Sequence, residues 1–580
     1  MCLYKHLLSE TVRRHGNHLK LLVYADEVTP GNPLQPDIAR KYWAIYVGIK
    51  EFGSARLANS ALWLPIAFLR SVPSKKIIGG FSNCMRMLFR AWFVAPLQVH
   101  TNGIVIDLRD GPTVVTFESH RLIMDADAYR ACLSIKGANG TRCCAKCRNV
   151  LSLNHRGTVD DTYLVDASCT DIKKFDKCTD QDYVDNYDRL IAAKAAGVSN
   201  AKFEELEMAT GITFNSYCVF LDAVIMMLVK PITSITYDWL HIFYVGGLAN
   251  HDLFFLFKLI RKTLKIKFKD LHAFVSAEWS LPGFISGSVK IAELFSDARE
   301  RSMDAAGGMK ASASELITAL PYIRHFMETI VMPRANAKLQ QAVATFLALC
   351  DLNDVIMKAK KGLFLCVKHM AGLMRKAINT YTRLRIATWD KSTCKPKFHF
   401  LFHLAEQFLR DGCIWDTFAL ERKHKISKCY AEAVTNFRCF DKSVNLRTLL
   451  ENRRQLQELR VNSCLLGETC MAPSLAVEIG EPSVEVAHKL DWQGAIFNVG
   501  DVLLLRGSFF CVQACLDYGS LGLLCSMFSV VGNKSPVSTI LREVEGEQAL
   551  LDLDACGQII VASSWCVKDD GSWLVLRPRC

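Results

Sequence analysis

Apolar runs of strand length alternate with turn residues over the first 125 positions. Residues 19–25 (LKLLVYA) predict a strand ending at Asp26, with turn chemistry in residues 27–32 (EVTPGN). Residues 42–49 (YWAIYVGI) predict a second strand, and residues 58–69 a third strand or a short helix. Residues 81–93 space Met, Leu and Phe as one helix face does. Residues 104–108 and 113–117 flank Arg109-Asp110-Gly111-Pro112 and predict a hairpin, and residues 121–124 predict a short strand ending at Asp125. Strands, a helix and further strands in that order predict an α/β core.

After residue 150 the period changes. Residues 182–395 are dominated by helical spacing, clearest at 253–266, 312–332 and 335–349, and helical signals continue over 398–459. Residues 471–482 read as a linker. Beyond it, short β runs at 501–505, 509–514, 559–562 and 573–576 are separated by Gly and Asp, which predicts a small β-barrel or β-roll. The expected organisation is a core segment at 1–150, a mainly helical insertion at 151–394, a further helical region at 395–460 and a separate β domain at 471–580.

Composition narrows the class. Of the 580 residues, 50% are hydrophobic and 22% charged, which excludes a disordered or collagenous chain. The most apolar run, 519–531, is too short for a bilayer, so no membrane partner is expected. The 23 cysteines fall below disulfide-scaffold density, and the charged first thirty residues lack a signal-peptide layout, so a reducing, intracellular setting is expected. The net charge of +12 is uneven: residues 471–580 carry 7 Lys+Arg against 13 Asp+Glu, a local −6, leaving +18 on the first 470. A basic body suits a polyanion such as nucleic acid, and equally a solvated basic surface.

Four constellations carry candidate chemistry. Asp26 and Asp125 sit at predicted strand ends, where two carboxylates can hold Mg²⁺ for phosphodiester chemistry, or can simply open turns. Cys144-Ala-Lys-Cys147 is half a zinc site. His399 and His403, at i and i+4, can complete a Cys₂His₂ set, with Cys143 as an alternative in one register. The competing reading is two core histidines and an ordinary thiol pair. Asp238-Trp-Leu-His241 can be a metal half-site or an orienting hydrogen-bonded pair. Glu421 is an acid among Arg422, Lys423, Lys425 and Lys428, a pattern suited to a metal ligand beside DNA phosphates, or to an i,i+4 pair of Glu421 with Lys425.

In their order, these blocks resemble the catalytic core of CACTA (En/Spm) transposases and, more distantly, that of the V(D)J recombinase. The resemblance rests on Ala25-Asp-Glu-Val-Thr-Pro-Gly-Asn32, Met124-Asp-Ala-Asp-Ala-Tyr129, Gly140 with Cys144-Ala-Lys-Cys147, Asp238-Trp-Leu-His241, Lys395-Pro-Lys-Phe-His-Phe-Leu-Phe-His403 and Glu421-Arg-Lys. It spans residues 20–435 and omits the last 110. It implies an RNase H-like α/β core carrying a large all-α insertion, beside the small C-terminal β domain. Asp26, Asp125 and Glu421 then form a catalytic DDE triad holding Mg²⁺ or Mn²⁺, and Cys144, Cys147, His399 and His403 hold zinc. The sequence departs from the family at Phe398, where a histidine is usual, and at Glu27, where a glycine is usual. The implied function is DNA strand cleavage and transfer at double-stranded transposon ends by a nuclear homo-oligomer, or, with chemistry lost, DNA or chromatin binding. The chain starts almost at the first strand, which predicts no room for an N-terminal DNA-binding region. The acidic β domain is expected to contact protein rather than phosphate.

Overall fold

Residues 42–49 are buried along their whole length, which requires a strand covered on both faces. The structure, a computed structural model, describes residues 3–31, 38–153, 163–276, 291–362, 364–458, 464–492, 495–535, 538–553, 555–556, 559–562, 564–567 and 570–576. The chain divides into two compact units, Met1–Ile242 with Ala359–Leu459, and Phe243–Lys358 with Arg460–Cys580.

The first unit is built on a mixed sheet. Its strands are β1 (His18–Val28), β2 (Tyr42–Ile49), β3 (Leu64–Arg70), β4 (Ile104–Leu108) and β5 (Gly111–Ile123). Two short strands, β6 (Val150–Leu151) and β7 (Val165–Asp166), pair with each other outside it, and β8 (Ile235–Thr236) joins its far end. The order is β3-β2-β1-β5, with the β4 hairpin on the early part of β5 and β8 on its last residues. β1, β2 and β3 pair antiparallel, whereas β1–β5 and β5–β8 are parallel.

The period-2 alternation of β2 sends its aromatics to opposite faces. Trp43 stacks on Phe81 at 4.0 Å, the first of the buried Phe81, Met85, Phe89 and Phe93 stripe of helix Gly80–Phe93. On the other face, the Tyr42 hydroxyl donates to Ser427 Oγ at 2.6 Å, within helix Phe418–Ala433. The sheet is therefore sandwiched between helices from distant parts of the chain.

Two strand expectations change. β1 does not stop before Asp26, because β2 pairs with it through Asp26↔Ala44 and on to Val28↔Tyr42. Runs 113–117 and 121–124 belong to one strand, β5; the polar stretch Glu118-Ser-His120 between them is half-buried and hid the continuity.

The second unit combines helices Leu248–Leu264, Phe268–Val275, Asp297–Ala306 and Ala313–Phe326 with a ten-stranded sheet spanning residues 464–576, whose described pairings are antiparallel. Helix Ala313–Phe326 touches strand Trp573–Leu576, so the middle helices and the tail share a unit. This differs from the expected division into a 151–394 insertion and a free-standing 471–580 domain. The expected linker at 471–482 holds helix Pro473–Ile479, preceded by strand Cys464–Met471. Among the described residues, no helix is long and apolar enough to cross a membrane.

Candidate active site and metal centre

The parallel register of β1 and β5 pairs Tyr24 with Ile123. Two residues further along each chain stand Asp26 and Asp125, so neighbouring parallel strands deliver two carboxylates at the same level. Asp125 is also the N-cap of helix Ala126–Leu133, accepting from the Ala128 N–H at 2.6 Å. Asp26 accepts from the Tyr24 hydroxyl at 3.1 Å and lies 3.3 Å from His424 Nε2. The same ring is held by the Tyr24 hydroxyl at 3.1 Å and by Tyr46 at 3.4 Å.

Glu421 reaches this group from helix Phe418–Ala433. It does not form the i,i+4 pair with Lys425 that is the alternative to a metal-ligand role. Instead the Thr417 hydroxyl, one turn earlier, lies 3.2 Å from Glu421 Oε1 and donates to Asp238 Oδ2 at 2.9 Å. Asp238 accepts from His241 Nδ1 at 2.6 Å, and His241 Nε2 points to Glu421 Oε1 at 4.0 Å. The DxxH is thus an orienting pair, with β8 placing it beside the end of β5.

Electrostatics tie these groups together. Burial raises the pKa of Asp125, and the charge of Asp26 raises it further. Glu421 is raised by burial and by Asp238 and Asp26, against the lowering effect of His241. Burial opposes protonation of His241, but the Asp238 hydrogen bond and the charges of Asp238, Glu421 and Asp125 lift it to about 9. Asp26 and Glu421 remain solvent-accessible. The three carboxylates do not all lie within 4.8 Å of one another.

The flanking cations divide. Lys423 is buried, donating to Ser60 O at 2.8 Å and lying over the Tyr46 ring, and burial lowers its pKa to about 7. Its assignment as a DNA contact is corrected: helix phase turns it into the core. Arg422 donates to Ala58 O at 2.8 Å, Lys425 is exposed and Lys428 is half-buried.

The second centre is Cys144, Cys147, His399 and His403, all buried, their ligand atoms within 4.8 Å of one another. His403 Nε2 lies 3.3 Å from Cys144 Sγ, 3.6 Å from Cys147 Sγ and 3.2 Å from His399 Nε2. Zinc bonds of about 2.0–2.1 Å to nitrogen and about 2.3 Å to sulfur give tetrahedral N···N edges of about 3.3 Å and S···N edges of about 3.6 Å. The four residues therefore fit a metal ion such as zinc. The Lys146 N–H donates to Cys144 Sγ at 3.3 Å, shaping the turn between the cysteines. Cys143 is not part of the set, since its thiol faces Val150 O.

The hydrogen bond with Cys144, then burial, push the Cys147 thiol up. Burial opposes ionisation of Cys144, yet Cys147 and the two imidazoles hold it well below the usual thiol range. His403 Nδ1 sits 3.5 Å from Glu406, the orienting carboxylate common behind metal-bound histidines.

Helix Pro396–Asp411 links the two centres. Its Gln407 side chain accepts from Tyr237 N at 2.8 Å and donates to Tyr237 O at 3.0 Å, fixing the backbone one residue before Asp238. Tyr237 also stacks on Phe400 at 4.4 Å and places its hydroxyl 3.4 Å from Cys144 Sγ.

Sequence reasoning missed Tyr24, His424, Thr417 and Gln407. Two carried a local signal: Tyr24 shares a strand face with Asp26 at i−2, and His424 shares a helix face with Glu421 at i+3. Comparison of the chain with protein-family models and with curated proteins finds no match.

Proposed function

We propose that the unit formed by Met1–Ile242 and Ala359–Leu459 is an RNase H-like, metal-dependent DNA strand-cleaving and strand-transferring core, of the CACTA transposase kind. The observation that carries this reading is the pair Asp26 and Asp125 at matching heights of adjacent parallel strands, with Glu421 in their field. The sheet, three antiparallel strands continued by two parallel ones, supports the fold assignment.

In this reading Asp26, Asp125 and Glu421 would hold Mg²⁺ or Mn²⁺. Their fit rests on burial first and on neighbouring like charges second, which together raise Asp125 and Glu421 and which a bound cation would offset. The chemistry a divalent pair supplies when bound is activation of the attacking oxygen and neutralisation at the phosphodiester. Tyr24 and His424 orient Asp26, Thr417 and His241 orient Glu421, and the helix N-terminus fixes Asp125. The Cys₂His₂ centre is structural: it anchors the helix whose Gln407 clamps the Asp238 segment. Double-stranded DNA is the substrate, with Lys425 and Lys428 on the Glu421 helix as charged contacts.

The test is nicking of duplex DNA by the full chain in Mg²⁺ or Mn²⁺. Asp26→Asn and Glu421→Gln should each lower the rate on the order of a thousandfold, or about 4 kcal/mol of barrier, with melting unchanged. Absence of nicking by the folded wild type, or nicking indifferent to both substitutions, counts against the proposal.

A further inference from the structure

Helix Pro396–Asp411 runs back along the segment that leads into the Asp238–His241 pair. Arg410 donates to Thr233 O at 3.3 Å and to Thr236 Oγ1 at 3.4 Å. Earlier in the helix, Gln407 holds the Tyr237 backbone and Phe400 stacks on the Tyr237 ring. Lys397 comes next in this direction. Positions 397, 400, 404 and 407 share one helix face by their spacing of three and four. The face that clamps Tyr237 therefore carries a lysine one turn beyond it, on the way to Asp238. The helix has little freedom to drift from this register, because His399 and His403 belong to the Cys₂His₂ cluster and Asp411 is held by Arg121.

Lys397 is half-buried. Burial lowers its pKa, Asp125 raises it, Lys395 lowers it, and Asp238 and Asp127 raise it. Asp125 and Asp238 belong to the carboxylate site, so the ammonium lies within their electrostatic reach. A phosphodiester entering that site brings its negative charge among Asp26, Asp125, Asp238 and Glu421. An ammonium is a compact charge with three donors on a flexible stem, suited to a phosphate oxygen. On a fixed helix and partly shielded from water, it acts with less screening than a surface lysine does.

We propose that Lys397 contacts the reacting backbone phosphate of the DNA strand bound at Asp26, Asp125 and Glu421. This rests on the reading of those carboxylates as a strand-cleaving centre. The competing role is a structural counter-ion for Asp125 and Asp238 that touches no substrate.

Two measurements on the full chain separate these roles. Binding of a short DNA duplex is followed by fluorescence anisotropy in EDTA over a range of NaCl concentrations. Nicking of the same duplex is followed in Mg²⁺ or Mn²⁺. Lys397→Gln should lower the nicking rate about a hundredfold. It should also weaken duplex binding and reduce the slope of log affinity against log salt by about 0.9, the loss of one phosphate contact. Lys397→Arg, which keeps the charge, should keep the slope. Thermal melting checks that each variant is folded, and Lys397→Met is the second neutral variant should Lys397→Gln not fold. Failure of both neutral variants to fold makes the lysine structural and overturns the proposal. So does an unchanged slope in a folded neutral variant or, where the wild type nicks, an unchanged rate; the strand-cleaving reading then stands without Lys397. A wild type that binds the duplex but never nicks it removes that reading instead, and the slope alone decides whether Lys397 meets phosphate. A folded wild type that neither binds nor nicks overturns both.

Discussion

Asp411 shows how one side chain can hold two elements. Its carboxylate is fully buried at the end of helix Pro396–Asp411 and accepts from Arg121 of β5 at 2.7 Å, from Arg410 at 2.8 Å and from Trp415 Nε1 at 3.3 Å. Burial works against ionisation here, but the two guanidinium groups prevail and hold the carboxyl far below its usual range. The folded-state pKa is therefore depressed, so Asp411 contributes stability that is fully present above the ordinary aspartate value of about 4 and is lost as pH falls below it. Asp411→Asn should cost about 3–5 kcal/mol in urea unfolding at neutral pH, because Arg121 stays buried without its anion. The gap from wild type should narrow as pH falls below 4; a constant gap would mean that the pair is not what holds the helix.

At the scale of elements, helix Pro396–Asp411 carries the two histidines of the Cys₂His₂ cluster near one end, then the Gln407 clamp on Tyr237, and Asp411 at the other end. Metal analysis should find about one zinc per chain, and His403→Ala should abolish it and cost about 4 kcal/mol or more, read from thermal unfolding. A zinc-free protein that melts like the wild type would remove the structural role. Much of this was legible. The eight apolar residues 42–49 match β2, and the cysteine and histidine spacings each specify half of a four-ligand set. What was not legible lies in tertiary contacts. Tyr24 and His424 meet across 400 positions, a pairing that no local pattern encodes. The charge of Lys423 suggested a surface, but the helix phase set by Leu420, His424 and Ser427 turns it inward. Glu118-Ser-His120 broke the apolar pattern of β5, where the pairing with β1 skips His120 in a register shift and resumes at Arg121.

For the whole molecule, the chain crosses between its two units and returns, so sequence neighbours are not always structural ones. The π-helical segment Met327–Val331 touches strand Leu521–Ser535, and helix Ala313–Phe326 touches strand Trp573–Leu576. Deleting residues 460–580 should therefore strip partners from the 243–358 helices and open them to limited proteolysis, while the first unit keeps its melting transition. Protection of those helices in the deletion would show that they fold alone. The proposed function requires Asp26, Asp125 and Glu421 to serve one divalent-metal centre. Anomalous diffraction from crystals soaked in Mn²⁺ measures this directly. Manganese peaks are expected among Asp26, Asp125 and Glu421 and should be lost in Asp26→Asn; the contrary result is a wild-type crystal saturated with Mn²⁺ that shows no peak among the three carboxylates.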